Sequence, residues 1–470
     1  MTATRKETDS LGAVDVPAGA LFGAQTMRAV ENFPISGTRL PPEFLSALGI
    51  LKATAATVNY RAGRLDAQAA QAIISAAGEV ATNRLDNHFP VDVFQTGSGT
   101  STNMNANEVI ANRAIQLLGG ELGDPDLDAS KRIHPNDQVN MGQSSNDVIP
   151  TALHVSAALA IHRELLGALS LLSGALRDKA AEFDDVVKIG RTHLMDAVPI
   201  RLGQEFSGYA AQVDASAERI KQALDRLCEL AVGGTAVGTG LNAPEGFAAA
   251  VCGILADSLH LPFREASNHF AASGARDAAL GASAAIRSSA VALGKIASDI
   301  RLLGSGPRCG LGELLLPAVQ PGSSIMPGKV NPVICEAVIQ VTCQVIGNDA
   351  AVTAGAMGGV GSILELNLAM PMIAANLLGS IRLLTNAARV FTTRCIGGLR
   401  ADAGRCHDLV ERSLAMVTAL APEIGYDAAA ELAKRAYREG KTIRDLCREE
   451  NVLSEDELAT RLDARRQTGN

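Results

Sequence analysis

The sequence predicts a mainly α-helical protein built around a bundle of long helices, and two observations carry this prediction. In one of five long apolar stretches, Ile161, Leu165, Leu169, Leu172 and Leu176 recur at steps of three and four residues, which is the helical period. Aromatic residues make up only 3% of the chain and Trp is absent. Ala, Leu, Val and Ile must therefore fill the core, as they do where helices pack closely.

The chain divides by composition into three predicted domains. Residues 1–143 mix Pro- and Gly-rich irregular segments with helices predicted at about Pro42–Ala62, Asp66–Asn83 and Glu108–Leu118. Residues 144–396 hold the five long stretches, predicted at about Pro150–Glu182, Pro199–Ala231, Asn268–Leu303, Pro332–Gly355 and Leu366–Arg394. Residues 397–470 are more charged and are predicted to form a small helical cap, with helices near Asp427–Glu439 and Ser454–Arg465.

The long stretches are apolar or small on most faces, as over Ala279–Val291. A helix that is apolar on most faces is buried on most faces. A bundle made by one chain cannot bury five such helices in that way. The sequence therefore predicts that these helices also pack against other copies of the chain in a homo-oligomer.

Charge and composition exclude several classes of function. The net charge of −8 argues against a general nucleic-acid binder, although one local cationic pocket would suffice for an anionic substrate. The eight cysteines are scattered without a C-x-x-C pair, and the eight histidines form no H-x-x-x-H or H-x-H pair. The N-terminus has no apolar signal segment, and we expect no apolar run long and charge-free enough to span a membrane. These features predict a cytoplasmic protein without a metal site.

A ten-residue loop with the sequence Gly-Ser-Ser-Ile-Met-Pro-Gly-Lys-Val-Asn, residues 322–331, has the composition of an anion site. Glycine-rich backbone can present N–H groups to negative charge, and Lys329 supplies a cation on what we expect to be a mobile loop. The phosphate-binding pattern G-x-x-x-x-G-K-[ST] is not met, because five residues separate Gly322 from Gly328 and Val330 follows the lysine. The alternative is an ordinary surface loop with a solvated lysine.

Three further polar clusters interrupt the apolar chain just before or between long helices: 96–103, 134–137 with 143–147, and 190–196. The run Gln95–Asn105 is judged too polar for a protein core. Hydroxyls, amides and cations at helix starts favour anions. Each cluster also has a structural alternative, since Ser145, Asn146 or Asp147 could cap a helix and His193 could be a structural histidine. Together with the loop, the clusters are predicted to converge on one pocket.

The loop with Pro332 is the signature of the fumarase/aspartase superfamily, and the chain resembles a class II fumarase within it. The resemblance runs from Asp9–Pro17 and Gly23–Thr26 to Ile424–Asp427. Aspartases typically have Gly-Gly-Ala, Ser-Thr-Asn-Asp and Gln where this chain has Thr96-Gly-Ser, Ser144-Ser-Asn-Asp and His193. At all three places the chain is similar to the fumarases.

The resemblance implies a three-domain fumarase/aspartase-like fold, in which the central five-helix bundle forms a twenty-helix core in a homotetramer. Each active site would be shared by three subunits and would bind a small dicarboxylate. The implied reaction is the reversible anti addition of water to fumarate, giving (S)-malate through an aci-carboxylate, without cofactor or metal. The alternatives are an aspartate ammonia-lyase, a hydratase of a substituted fumarate such as mesaconate, and a non-catalytic structural relative.

The resemblance also implies roles for individual residues. Ser323 is expected to be the base, His193 the general acid acting through water, and Glu336 the carboxylate that orients His193; as alternatives, His193 is the base and Glu336 a first-turn acid. Lys329 and Asn331 are expected to hold the aci-carboxylate. Further substrate contacts are expected from Ser98, Thr100, Ser144, Ser145, Asn146 and Thr192. A second carboxylate site, or alternatively a capped turn, is expected at Lys131, Arg132, His134, Asn136 and Asp137.

Overall fold

The computed structural model describes residues 3–124 and 126–469, and the chain is mainly helical, as predicted. The α-helices are α1 Ala24–Asn32, α2 Pro42–Arg61, α3 Ala67–Ala81, α4 Thr100–Leu117, α5 Ser145–Ala160, α6 Leu166–Glu182, α7 Leu202–Leu227, α8 Phe247–Leu259, α9 His269–Gly274, α10 Asp277–Leu303, α11 Val333–Ala356, α12 Met370–Arg394, α13 Ala403–Arg412, α14 Ala421–Ile424, α15 Tyr426–Glu439, α16 Ile443–Glu449 and α17 Glu455–Arg461. A π-helical turn, Ile161–Leu165, joins α5 to α6 without a break.

The strands are short and pair two by two. They are β1 Thr4–Asp9, β2 Gly12–Pro17, β3 Val187–Thr192, β4 Met195–Arg201, β5 Glu229–Leu230, β6 Arg264–Glu265, β7 Leu314–Leu315, β8 Ser362–Ile363, β9 Leu366–Asn367 and β10 Arg400–Ala401. The pairs β1–β2, β3–β4, β7–β10 and β8–β9 are antiparallel, and β5–β6 is parallel. Of these, the hairpin β3–β4 carries residues of the predicted site.

The chain forms two compact units, and it passes between them inside the long helices. The first unit contains residues 1–167, 218–288 and 343–384, and the second contains 168–217, 289–342 and 385–470. All five passages fall within the five long helical segments that the sequence predicts. The division into domains 1–143, 144–396 and 397–470 stays a prediction.

Helical periodicity located the long helices correctly but placed several of their starts wrongly. The predicted core positions Ile161, Leu165, Leu169, Leu172 and Leu176 are all fully buried. The first long helix begins five residues earlier than predicted, at the start of α5, because a capping box lies ahead of the internal proline. The predicted starts of the second, third and fifth helices fall instead in β4, at the cap of α9 and in β9.

The polar run Gln95–Asn105 is not excluded from the core, contrary to our expectation. From Thr100 onward it forms the first turns of α4, and Thr102, Asn103 and Asn105 are buried. Hydrogen bonds explain this burial, because buried polar groups are tolerated where they are paired. Thr102 donates to the side chain of Gln95, and Asn105 donates to the carbonyl of His88.

Among the described residues, one helical segment, Ser145–Glu182, is long and apolar enough to cross a membrane. The expectation that no such run exists was therefore wrong. The segment contains an 18-residue window with at most two charged residues, because its charged residues lie mainly outside that window. Half of that window is buried inside the chain. A buried core helix passes the same compositional test, so the finding is weak evidence for a membrane span.

The eight cysteines are free thiols, as the scattered spacing predicts. Six of them are buried, and Cys309 and Cys343 are exposed. In the second unit, the C-terminal helices form a small core of their own that includes Leu420, Leu432, Leu446 and Leu458. Ile189 of β3 belongs to this core, so the C-terminal segment anchors the base of the hairpin that carries His193.

Candidate active site

In the first unit, the start of α4 presents Ser98 and Thr100 side by side. The two hydroxyl oxygens lie 2.8 Å apart, and Ser98 is buried. Gly97 lies against the backbone of Leu368, where a Cβ would come within 1.9 Å of the carbonyl oxygen. The close approach therefore requires glycine at this position, and it fixes the turn that leads into the helix.

The start of α5 presents Ser145 and Asn146, while its neighbours do the capping. Ser144 is the N-cap, and its backbone N–H donates to Asp147 at 2.9 Å in a capping box. Capping therefore belongs to Ser144 and Asp147, and neither Ser145 nor Asn146 serves as the N-cap of this helix. The Asn146 side chain donates to the carbonyl of Ala236 at 2.7 Å, which holds its amide at the surface of the turn.

In the second unit, His193 occupies the tip of the hairpin β3–β4. Thr192 pairs with Met195, so the turn consists of His193 and Leu194, which have φ of 56° and 63°. Two consecutive positive φ values match the tight hairpin turn that usually contains Asn or Gly. His193 and Leu194 are both exposed. Non-glycine residues held in this region cost free energy and cluster at functional sites.

A buried charge network supports the base of this hairpin, and no local motif in the sequence indicates it. Arg191, which precedes Thr192, donates to both oxygens of Glu313 at 2.8 and 2.9 Å. Lys188 lies 3.5 Å from Glu313 and 2.9 Å from Glu205. Glu313 and Lys188 are fully buried, and burial raises the pKa of Glu205. The network adjoins a pocket of about 330 Å³ lined also by Tyr209.

The signature loop folds back on itself and places Ser323 among backbone donors. The N–H of Gly322 donates to the carbonyl of Lys329 at 2.7 Å, and the Asn331 side chain donates to the carbonyl of Gly322 at 2.6 Å. The Oγ of Ser323 accepts from the N–H groups of Ile325 and Met326 at 3.2 and 3.0 Å. Hydrogen bonds to an oxygen favour its anionic form. The loop therefore points two donors at the oxygen predicted to act as a base.

Within the described residues, Lys329, Glu336 and His193 of the second unit make no hydrogen bond or ion pair with one another. Lys329 is exposed and has no acidic partner within residues 3–124 and 126–469. Glu336 lies in the first turn of α11, so the helix-start geometry predicted for it is confirmed. In the same described ranges, neither ring nitrogen of His193 is hydrogen-bonded, to Glu336 or to any other group. The predicted convergence of all four clusters stays a prediction.

The turn predicted to hold a second carboxylate is a capped π-helical turn, Pro135–Val139. The His134 ring accepts from the N–H of Asp137 at 3.1 Å, as the structural alternative expects. Lys131 donates to the carbonyl of Gly119, and Arg132 donates to the carbonyl of Leu127. His134, Asn136 and Asp137 are exposed.

Lys52 is a further buried group at the segment that leads into Ser145, and no local motif indicates it. Lys52 on α2 is fully buried and contacts Asn140 and Gln143, which precede Ser145 in the chain. One signal was available in the sequence, because Lys52 is the only charged residue in the helical stretch 44–60. Groups of three or more potential metal ligands do not occur in the part of the chain that the structure describes.

Comparison with known proteins places these features in a family. Residues 12–347 match the family model described as Lyase, and residues 416–469 match the model described as Fumarase C C-terminus. The chain is 54% identical over 457 residues to Fumarate hydratase class II 2 of Bradyrhizobium diazoefficiens, covering 97% of this chain and 95% of the relative. It is 51% identical to Fumarate hydratase, mitochondrial, of Saccharomyces cerevisiae, over 97% and 92% of the two chains. The crystal structure of the class II fumarase from Schistosoma mansoni superposes with a TM-score of 0.93 at 41% identity, over 98% of both chains.

Proposed function

The chain belongs to the class II fumarate hydratase family, and from this premise we propose how its own residues carry out the reaction. It is a fumarate hydratase, a hydro-lyase that adds water reversibly to fumarate to give (S)-malate in the tricarboxylic acid cycle. In the direction of dehydration, a base removes a proton from C3 of malate. The carboxyl group next to C3 then carries two negative charges as an aci-carboxylate. The C2 hydroxyl leaves as water when it receives a proton.

Ser323 is the base in this proposal, and the geometry of its oxygen is the observation that carries it. A serine hydroxyl is a weak base unless its surroundings favour the alkoxide. The N–H groups of Ile325 and Met326 both donate to Oγ, and Lys329 lies on the same loop. These donors lower the free energy of the alkoxide relative to the hydroxyl. The same bonds also occur in ordinary serine turns, so substitution of Ser323 must test the assignment.

His193 is the general acid, and it protonates the leaving hydroxyl through a water molecule. His193 lies at the tip of an exposed hairpin, and its ring has no partner in the described chain. Both features support a role in a site completed by another subunit. Glu336 of another subunit orients the imidazole, as a carboxylate orients histidine in other enzymes. The alternative in which His193 is the base makes Ser323 dispensable for proton removal.

Cations and amides hold the substrate in this proposal. Lys329 and Asn331 bind the aci-carboxylate, because prearranged donors are most effective where charge develops. Further contacts come from the cluster residues Ser98, Thr100, Ser144, Ser145, Asn146 and Thr192. A second carboxylate binds at the turn formed by Lys131, Arg132, His134, Asn136 and Asp137. The exposed Arg132 and the half-buried Lys131 supply positive charge that supports this, while Asp137 opposes it.

The working molecule is a homotetramer whose active sites take residues from three subunits. Exposed apolar side chains support this proposal. Leu194 and Ile325, which lie close to His193 and Ser323 in the sequence, are 74% and 84% exposed, and Leu364 is 84% exposed. Where such exposed apolar side chains join into a contiguous patch, they mark a surface that another chain covers. We also propose a cytosolic location, supported by eight free thiols.

A side-by-side assay of malate, aspartate and mesaconate tests the function, with fumarate followed by its ultraviolet absorbance. We expect rapid turnover of malate and none of aspartate; the opposite result would establish an ammonia-lyase. Ser323→Ala should lower kcat by about a thousandfold, since a positioned base contributes a factor of about 10² to 10⁴. Near wild-type turnover by Ser323→Ala would refute the base assignment while leaving the reaction class intact.

A further inference from the structure

Lys52 is a buried lysine that makes no ion pair with a carboxylate in the part of the chain that the structure describes. It lies on α2, and none of its side chain is exposed. Its Nζ donates to Oδ1 of Asn140 at 2.9 Å and to Oε1 of Gln143 at 3.0 Å. Lysine is rarely buried completely without a partner of opposite charge. Its two amide partners lie in the segment that leads directly into Ser144, Ser145 and Asn146, so its burial is coupled to the proposed substrate site.

The lysine determines the orientation of the amides around it. An ammonium group has donors only, so the atoms of Asn140 and Gln143 that face it must be oxygens. Asn103 approaches the same Oδ1 of Asn140 at 3.2 Å, so it must present its Nδ2 there. That same Nδ2 lies 3.2 Å from the Oγ of Ser145. The Oγ of Ser145 therefore accepts a hydrogen bond from Asn103. The O–H of Ser145 remains able to donate to a ligand.

The charge of Lys52 is not neutralised at close range. Asp147 is the charged group that faces it, and this carboxylate is already occupied by the N–H groups of Ser144, Gly233 and Thr235. A positive charge in a region of low dielectric acts over a longer distance than one in water. If a dicarboxylate binds at Ser145 and Asn146, the charge of Lys52 adds to its attraction.

We propose that Lys52 is a positioning residue for substrate binding, which orients Ser145 through Asn140 and Asn103 and attracts the dicarboxylate by its buried charge. This inference rests on the proposed function. Burial lowers the pKa of Lys52 to about 7, against the opposing effect of Asp147. A bound dianion favours the protonated lysine, so substrate binding is coupled to the charge of Lys52. The KM for fumarate should then rise as the pH increases above about 7.

The experiment measures kcat and KM for fumarate between pH 6 and pH 9 in the wild type and three variants. Lys52→Met fills the same space without charge, and we expect KM to rise about tenfold with little dependence on pH, while kcat falls less. Lys52→Arg stays charged throughout, and KM should not rise with pH. Asn59→Leu is the matched control: it removes the hydrogen bond from the same helix to the carbonyl of Met141, and we expect the wild-type pH profile.

Three results would overturn the inference. The first is a wild-type KM that stays constant across this pH range, a result that does not depend on any variant folding. The second is a Lys52→Arg enzyme that keeps the wild-type rise in KM. The third is an Asn59→Leu enzyme that reproduces the behaviour of Lys52→Met, since Lys52 would then act only through the shape of the turn. Failure of the proposed function gives a different result, because the wild type itself would then not turn over fumarate.

Discussion

The bond between Arg191 and Glu313 ties the His193 hairpin to the segment that leads into the signature loop. Both Glu313 oxygens are engaged, and none of the side chain is exposed. Breaking a buried ion pair by removing one partner leaves the other charge uncompensated, which costs about 3 to 5 kcal/mol. Glu313→Gln should therefore lower the free energy of unfolding by about 3 kcal/mol, measured in urea, and should reduce kcat.

An exposed ion pair in the same unit provides the control for Glu313→Gln. Arg448 and Glu455 lie 2.9 Å apart, but their side chains are 49% and 65% exposed. Exposed pairs contribute at most about 1 kcal/mol, so Glu455→Gln should change stability little and leave activity intact. Equal small losses in both variants would show that the buried network does not support the hairpin.

His154 makes the stability of the chain sensitive to acid. Burial, and to a smaller extent the charge of Arg276, lowers the pKa of its ring to about 4 from the ordinary 6.5. Between these values the unfolded chain binds more protons, so stability is complete above pH 6.5 and falls as the pH decreases towards 4. His154 is partly exposed, which reduces the effect, so we expect a loss of about 2 kcal/mol between pH 7 and pH 4.

Urea unfolding at pH 7 and pH 4 measures this effect. His154→Asn can keep the 2.8 Å bond from the Nδ1 position to the carbonyl of Glu229, and it should lose part of the acid sensitivity. His162 lies further along the same helical segment and is exposed, so His162→Asn should behave as the wild type. An unchanged acid sensitivity in His154→Asn would assign the effect to other groups.

At the scale of single residues, local motifs in the sequence indicate the groups proposed to contact the substrate but not the buried groups that support them. Ser98, Ser145, His193 and Ser323 stand in local motifs that are visible in the sequence. The bond from Arg191 to Glu313 spans 122 positions and the bond from Lys52 to Asn140 spans 88, so no local spacing reveals either one. A local motif shows which side chains a loop exposes. The buried residues that support the loop are brought there by long-range packing, which a local motif does not show.

At the scale of elements, the signature loop depends on a glycine that allows close approach of two backbone segments. A Cβ on Gly322 would lie 2.7 Å from the carbonyl oxygen of Lys329 and 2.8 Å from the nitrogen of Asn331. Gly322→Ala must therefore displace the residues proposed to bind the aci-carboxylate. We expect kcat to fall by about a hundredfold, since a misplacement of about 1 Å can have that effect.

Gly78 on α3 is the control for this substitution, because an added Cβ there meets no atom within 4 Å. Gly78→Ala should leave kcat unchanged and should slightly increase stability, since Ala favours the helix by about 1 kcal/mol. Wild-type kinetics in Gly322→Ala would show that the geometry of the loop does not limit catalysis.

The long helices could be predicted from the sequence because their period is a local property, whereas their starts depend on caps and neighbouring strands. The capping box at Ser144 and Asp147 starts α5 five residues before Pro150. The proline by itself predicts a helix that begins at Pro150. Residues 199–201, predicted as the start of the second long helix, pair instead with β3. Pairing partners are chosen by the tertiary fold, and periodicity along one segment contains no information about them.

At the scale of the whole molecule, the proposed site is divided between chains, and mixing two inactive variants tests this division. In one chain the His193 hairpin and the Ser323 loop make no hydrogen bond with each other, and both are exposed. If each site takes its loop from one subunit and its hairpin from another, Ser323→Ala and His193→Asn subunits can complement each other. Random tetramers from a one-to-one mixture would have about a quarter of their sites intact.

The two inactive proteins are unfolded together in urea and refolded, and malate turnover is then measured. We expect about a quarter of the activity of the wild-type enzyme after the same treatment. Ser323→Ala mixed with Lys329→Ala is the control, because both changes lie on one loop and every site would keep one of them. No activity is expected from that mixture. Failure of the first mixture to recover activity would mean that hairpin and loop act from the same chain. Equal recovery in both mixtures would contradict the proposed division of the site.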